Sequence, residues 1–163
     1  MITQMDITTS ERLEGTALAA WRSYLQSHAS IVRELDADLV AEQGMTTRDY
    51  EVLLYLAQAP QRQLAMSALA ESTMLTRSGI TRLIDGLVEA GLIERVGCRS
   101  DARVSYAQLT DAGYEKLRGA SSTHLAGIRR LFLEHFTAEE IDELASLLSR
   151  LPGAAGSGAC TVE

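Results

Sequence analysis

The stretch TRSGITRLIDGLVEAG, residues Thr76–Gly91, decides the fold. Its apolar residues Ile80, Leu83, Ile84, Leu87 and Val88 recur at i, i+3, i+4, i+7 and i+8, which places them on one stripe of an α-helix. At 100° per residue, Ser78, Arg82, Asp85 and Glu89 face the other way, with Thr81 on the flank. Hydroxyl and guanidinium groups gather at the N-terminal end and carboxylates further along. A helix that reads the DNA major groove offers its N-terminal residues to base edges and phosphates. Arg77, Ser78, Thr81 and Arg82, with Thr76 at the helix start, suit that task. Taken alone, the stripe reads first as an ordinary amphipathic surface helix, so the flanking sequence has to decide.

Downstream runs LIERVGCRSDARVSYAQLT, Leu92–Thr110. Gly91 is placed to stop the helix in a left-handed cap. Leu92–Val96 and Val104–Leu109 have the composition of two strands. The loop Gly97–Arg103 between them carries Arg99, Asp101 and Arg103. Two arginines and one carboxylate on a hairpin tip suit an anionic partner. An arginine there can enter a narrow minor groove, where the negative potential is strongest. An aspartate two residues earlier can hold that guanidinium by a charge-assisted hydrogen bond. Upstream, Ser67 is the expected N-cap of a helix SALAEST packed through Leu69 and Ala70, and the turn Ser72–Thr73–Met74 lacks the glycine often found in helix-turn-helix units.

These residues carry a resemblance. A recognition helix rich in serine and threonine, Gly91-Leu92 followed by Arg95, Asp101-x-Arg103, and Leu109-Thr110-x-x-Gly113 occur in order and at the right spacing. The run resembles the winged helix-turn-helix of the MarR family (multiple antibiotic resistance regulators), over roughly Leu13 to Leu151. The resemblance implies a fold that is mainly α with a small β wing (α+β): a winged helix-turn-helix lobe at 46–110 and a dimerisation bundle of N- and C-terminal helices, 11–43 and 111–151. It also implies a homodimer on double-stranded DNA, with an imperfectly palindromic operator. Arg77 and Arg82 would contact phosphate or guanine, and Ser78 and Thr81 phosphate or base edges. Arg103 would enter the minor groove with Asp101 positioning it and Arg99 on the backbone. Arg95 either contacts phosphate or pairs with Glu94 or Asp101. Family members more often repress than activate, and often answer to small aromatic ligands held between bundle and DNA-binding lobes. Trp21, Tyr24, His28 and Tyr50 are the candidates for lining such a crevice, the alternative being core or dimer packing.

Composition bounds the remaining classes. A chain of 163 residues with 46% apolar content is expected to form one domain with a real core. No apolar run approaches the roughly 20 residues of a membrane span. The N-terminal MITQMDITTSERLEG lacks the basic start and apolar segment of a secretion signal. Cys98 and Cys160 form neither a disulfide framework nor a zinc site, which fits a reducing cytoplasm. The net charge of −7 argues against nucleic acid globally but not locally. Residues 60–103 hold six arginines and five acids, a balance of +1, against −8 elsewhere. Such a distribution should make DNA affinity sensitive to salt.

No glycine-rich phosphate loop, nucleophile elbow or metal motif is present, so neither an enzyme nor a cofactor is expected. His28, His124 and His135 show no paired ligand spacing. Two alternatives stand beside an effector-released repressor. Cys98, next to the positive Arg99, could make the protein a thiol sensor, although the family's peroxide sensors carry their cysteine near the N-terminus and this chain has none there. A winged helix used for protein contacts is the other.

The chain around the lobe is helical by pattern. Residues 1–10 are expected to fray. A first helix of roughly 45 Å, Glu11–Glu42, carries Leu13, Ala17, Trp21, Tyr24, His28, Ile31, Leu35 and Leu39 on one side and ends at Gly44. Thr46 with Asp49 forms a capping box for a helix whose inner stripe is Tyr50, Leu53, Leu54 and Ala57. Gln63–Ala65 is expected to pair with the wing. Thr110 caps a helix reaching about His135, with Leu117, His124, Ile128, Leu131, Phe132 and Phe136 on its apolar side. Thr137 with Glu140 caps a last helix with Ile141, Leu144, Leu147, Leu148 and Leu151, ended by Pro152. The tail 152–163 is rich in small residues and expected to be disordered.

Overall fold

The computed structural model describes residues 13–73, 75–97 and 105–152. In chain order the elements are α1 (Gly15–Gln43), α2 (Thr47–Gln58), a 3-10 turn (Pro60–Arg62), β1 (Gln63–Ala65), α3 (Met66–Ser72) and α4 (Arg77–Glu89). Then follow β2 (Ile93–Gly97), β3 (Ser105–Leu109), α5 (Asp111–Leu131), a second 3-10 turn (Leu133–His135) and α6 (Ala138–Leu148). The sheet is antiparallel in the order β1-β3-β2. Gln63–Ala65 pairs with Gln108–Tyr106, as its composition suggested, and Ile93 stands opposite Leu109. This is the expected α+β architecture with a small β wing.

The caps follow local chemistry. Thr46 and Asp49 form a reciprocal capping box at α2, and Thr137 and Glu140 another at α6. The Thr110 hydroxyl accepts from Gly113 N–H at 2.9 Å and donates to Gly91 carbonyl at 2.9 Å. Gly91 takes φ +72°. Its N–H bonds Val88 O and the Leu92 N–H bonds Leu87 O, both at 2.9 Å, the paired bonds of a Schellman stop.

Several boundaries differ from the sequence expectation. Glu14 is extended and its side chain caps nothing, so α1 starts at Gly15. Ser67 does not cap α3: the helix begins at Met66, because β1 runs straight into it and its ladder to Tyr106 fixes Ala65 as the junction. Instead of reaching His135, α5 stops at Leu131, where Phe132 (φ −133°, ψ −63°) leaves helical space and a 3-10 turn follows.

The core is built on α2, which buries Val52 and Leu56 as well as Tyr50 and Leu53. It is broader than one stripe because α5, α3, α1 and the sheet pack round it. Leu39, Leu69, Ile80, Ile84, Ile93 and Leu117 are almost fully buried around it. Each such side chain contributes about 1.5–3 kcal/mol of transfer free energy. The inner face of α5 is made of small residues rather than the large apolar ones expected: Gly113, Ala120, Ser121, Thr123 and Gly127 are buried with Leu117. Small side chains let α1 and α2 approach the α5 backbone closely. Of the long α1 stripe only Leu35 and Leu39 are buried, while Trp21 and Tyr24 stay 50% and 45% exposed. No residue of α6 is buried.

His124 on α5 packs against Tyr50 with ring centroids 4.6 Å apart, and its Nδ1 has no hydrogen-bond partner among the described residues. Burial holds its imidazole below the ordinary 6.5, because desolvation penalises the cation. The unfolded chain therefore binds a proton at His124 more readily than the folded one. Stability contributed by the neutral ring is complete above pH 6.5 and is lost as pH falls through the lowered folded value. Urea midpoints measured at about pH 7 and pH 5 should show a smaller acid loss in His124→Gln than in the wild type. Equal losses would contradict this assignment.

Candidate nucleic-acid interface

The interface is assembled on α4. Thr76 is extended (φ −66°, ψ 157°), and its Oγ1 accepts from Gly79 N–H at 3.2 Å. The same oxygen lies 3.2 Å from the Ser78 hydroxyl. The Thr81 hydroxyl donates back to Arg77 carbonyl at 2.8 Å, which fixes its rotamer and leaves its lone pairs outward. Ile80, Ile84 and Leu87 anchor the opposite side in the core. Thr76, Arg77, Ser78, Thr81, Arg82 and Asp85 then line one shallow depression. A second depression runs between α3, α4 and the sheet, with Ser67, Arg77, Thr81, Arg95 and Ser105 on its walls. Arg77 stands on the ridge between the two.

The electrostatics favour an anion. The N-terminus of α4 adds N–H groups that have no partner within the helix and the positive end of its dipole. Neither Arg77 nor Arg82 has an acidic partner among the described residues. Arg95 does. Its Nη2 lies 2.6 Å from Asp85 Oδ1, with 35% and 61% of the two side chains exposed. Its carboxylate partner among the described residues is thus Asp85 and not Glu94: successive strand residues point to opposite faces, and Arg95 takes the face that meets α4. At this exposure the pair adds no more than about 1 kcal/mol, but it neutralises the carboxylate nearest the cationic end of the helix.

Arg99, Asp101 and Arg103, together with Cys98, lie outside the described residues. The aromatic candidates fall into two groups. Trp21, Tyr24 and His28 stack along one exposed face of α1, with centroids 6.2 and 6.3 Å apart. Tyr50 is buried in the core instead, with its hydroxyl 3.3 Å from Ser121 Oγ. The protomer does not bring the four together.

Two arginines were passed over by sequence reasoning. Arg62 stacks on the Tyr114 ring at 4.1 Å and pairs with Asp111 at 3.1 Å, tying the lead-in of β1 to the start of α5. Arg48, on α2, donates to Thr73 carbonyl at 3.1 Å. Both partners are distant in sequence and no local signal marks them. Among the described residues no cluster of His, Cys, Asp and Glu could hold a metal ion, and no helix is long and apolar enough to cross a membrane.

A three-helix lobe closed by a three-stranded wing, whose third helix, α4, is capped and exposes hydroxyls and guanidiniums, is a winged helix-turn-helix. The chain belongs to the MarR family of transcriptional regulators, whose members are not enzymes. The MarR family profile matches residues 43–104. AbsC, a MarR family regulator from Streptomyces coelicolor, is 34% identical, with 84% of this chain and 92% of that one superposed at a TM-score of 0.78. Sco3205 from the same organism, solved in complex with DNA, is 31% identical over 88% of each chain, with a TM-score of 0.80. The transcriptional repressor YetL of Bacillus subtilis is 28% identical over 111 residues, 68% of this chain and 66% of YetL.

Proposed function

We propose that this chain is a homodimeric regulator that binds a palindromic double-stranded operator, represses transcription and is released by a small aromatic effector. The observation that carries the reading is the exposed N-terminal face of α4, with Arg77 and Arg82 free of acidic partners among the described residues, beside Ser78 and Thr81. In this reading α4 enters the major groove. Thr76 and Arg95 complete its set of contacts, and Arg99, Asp101 and Arg103 reach the neighbouring minor groove. The 31% identical Sco3205, solved with DNA, supports the geometry. The 28% identical YetL, a repressor, supports the sign of regulation.

Dimerisation is supported by apolar side chains that this chain leaves uncovered. Leu13, Trp21, Leu25 and Val32 of the α1 region, and Leu147 and Leu151 near α6, are 43–56% exposed. Residues 11–43 and 111–151 would meet their copies there, setting two α4 helices about 34–36 Å apart. The stacked Trp21, Tyr24 and His28 offer a planar apolar surface for an aromatic effector, and Tyr50 would act on it only through α2 and α5. A cytoplasmic location belongs to the same reading.

Selection of bound duplexes from a random-sequence library by the purified chain tests this function. An inverted repeat with half-sites one helical turn apart is the expected product. Recovery of unrelated sequences without a shared motif would contradict it.

A further inference from the structure

We propose that Arg48 is a positioning residue for DNA binding, which sets the geometry of the helix-turn-helix turn from outside it. The inference rests on the DNA-binding function above. The turn between α3 and α4 contains no glycine. Among the described residues, backbone and side-chain bonds hold its two ends. Thr73 stays near helical space (φ −88°, ψ −2°), and its N–H and hydroxyl both bond Leu69 carbonyl, at 3.0 and 2.7 Å. The Leu75 N–H bonds Ala70 carbonyl at 3.1 Å. These bonds take up α3 carbonyls, and the Thr73 carbonyl is met from another element. Arg48 Nη1 supplies its donor at 3.1 Å, from the first turn of α2.

That contact spans 25 residues and joins two elements that the backbone does not join. On one side, α2 is fixed by its capping box and by Tyr50 against Ser121 and His124 of α5. On the other, Thr73 lies three residues before the Thr76 cap of α4. A tilt of α4 that carries the end of α3 with it moves Thr73 carbonyl, and Arg48 resists that movement. Glu51 Oε2, 3.3 Å from the same Nη1, holds the guanidinium over the turn. The Arg48 side chain is 54% exposed, so its removal leaves the core intact.

The test uses the full chain and the fluorescein-labelled duplex that the wild type selects. Arg48→Met strips the donor and keeps the aliphatic stem. It should weaken binding by about 3- to 10-fold, less than the full value of the bond in each protomer, because the bond is lost from free and bound protein alike. The slope of log K against log salt should not change, because no phosphate contact is lost. Amide hydrogen exchange in the free protein should rise across residues 69–80 and nowhere else, and Arg48→Lys should restore part of that protection. A slope reduced by about two units per dimer would make Arg48 a phosphate ligand and overturn the proposal. So would unchanged exchange across the turn. If the wild type binds no duplex, the DNA-binding function falls, while the exchange measurement still decides whether Arg48 holds the turn.

Discussion

Gly113→Ala is expected to lower the thermal midpoint by roughly 6–12 °C, corresponding to about 3 kcal/mol. A Cβ at this position would sit 2.1 Å from Leu92 carbonyl oxygen and 2.7 Å from Leu109 Cδ1. The oxygen belongs to backbone and cannot rotate away. It is also occupied, because Thr110 N–H donates to it at 3.1 Å. Relief would require α5 to withdraw from the strand that follows α4, breaking the Thr110 bonds to Gly91 and Gly113 together. The control is on the same helix. A Cβ at Gly119 meets only Gln43 Oε1 at 3.7 Å, an ordinary contact. Gly119→Ala should therefore stabilise by about 0.5–1 kcal/mol through helix propensity alone. Thermal unfolding followed by circular dichroism reads both. Equal midpoints for the two variants would show that the close approach of α5 to Leu92 is not real.

The second large effect is on binding. Arg82→Ala and Arg77→Ala should each weaken operator affinity by at least about tenfold, since a guanidinium on guanine or phosphate contributes about 1–3 kcal/mol and a dimer loses two. The thermal midpoint should move by no more than about 1 °C, because both side chains are exposed and neither has an acidic partner among the described residues. The form of the loss assigns the contact. An arginine on a base edge gives a loss confined to one position of the half-site. An arginine on phosphate weakens all duplexes alike and reduces the salt slope. Anisotropy titration against the selected duplex and its point variants makes the distinction. Wild-type affinity in both variants would remove α4 from the interface.

How much of this was legible in the sequence depends on the range of the interaction. The α4 stripe, the Gly91 stop and the boxes at Thr46 and Thr137 were legible because each is settled within five residues by helix period and backbone hydrogen bonds. The pairing of Gln63–Ala65 with the wing was legible from composition and order. Ser67 misled because cap propensity was weighed without the strand that fixes Ala65. The inner face of α5 was missed because the search was for large apolar residues. Gly113 and Gly127 matter through what they keep out, and Leu92 carbonyl and Leu35 Cδ2 are neighbours only in the fold. Asp85–Arg95 and Arg48–Thr73 were unreadable for the same reason, since they join elements whose mutual position is set by the core. On the site, the sequence marked the exposed residues of α4 but not the contacts that orient them.

The central claim is that the face of α4 binds one DNA sequence in preference to others. The most direct test is fluorescence-anisotropy titration of the purified protein against duplexes tiling the DNA upstream of its own coding sequence, at two salt concentrations. The predicted result is tight binding to one imperfect palindrome, weakened steeply as salt rises because phosphates release their counterions. Equal, weak binding to every duplex at low salt would contradict operator recognition upstream of its own coding sequence, and affinity independent of salt would contradict a contact made through arginines.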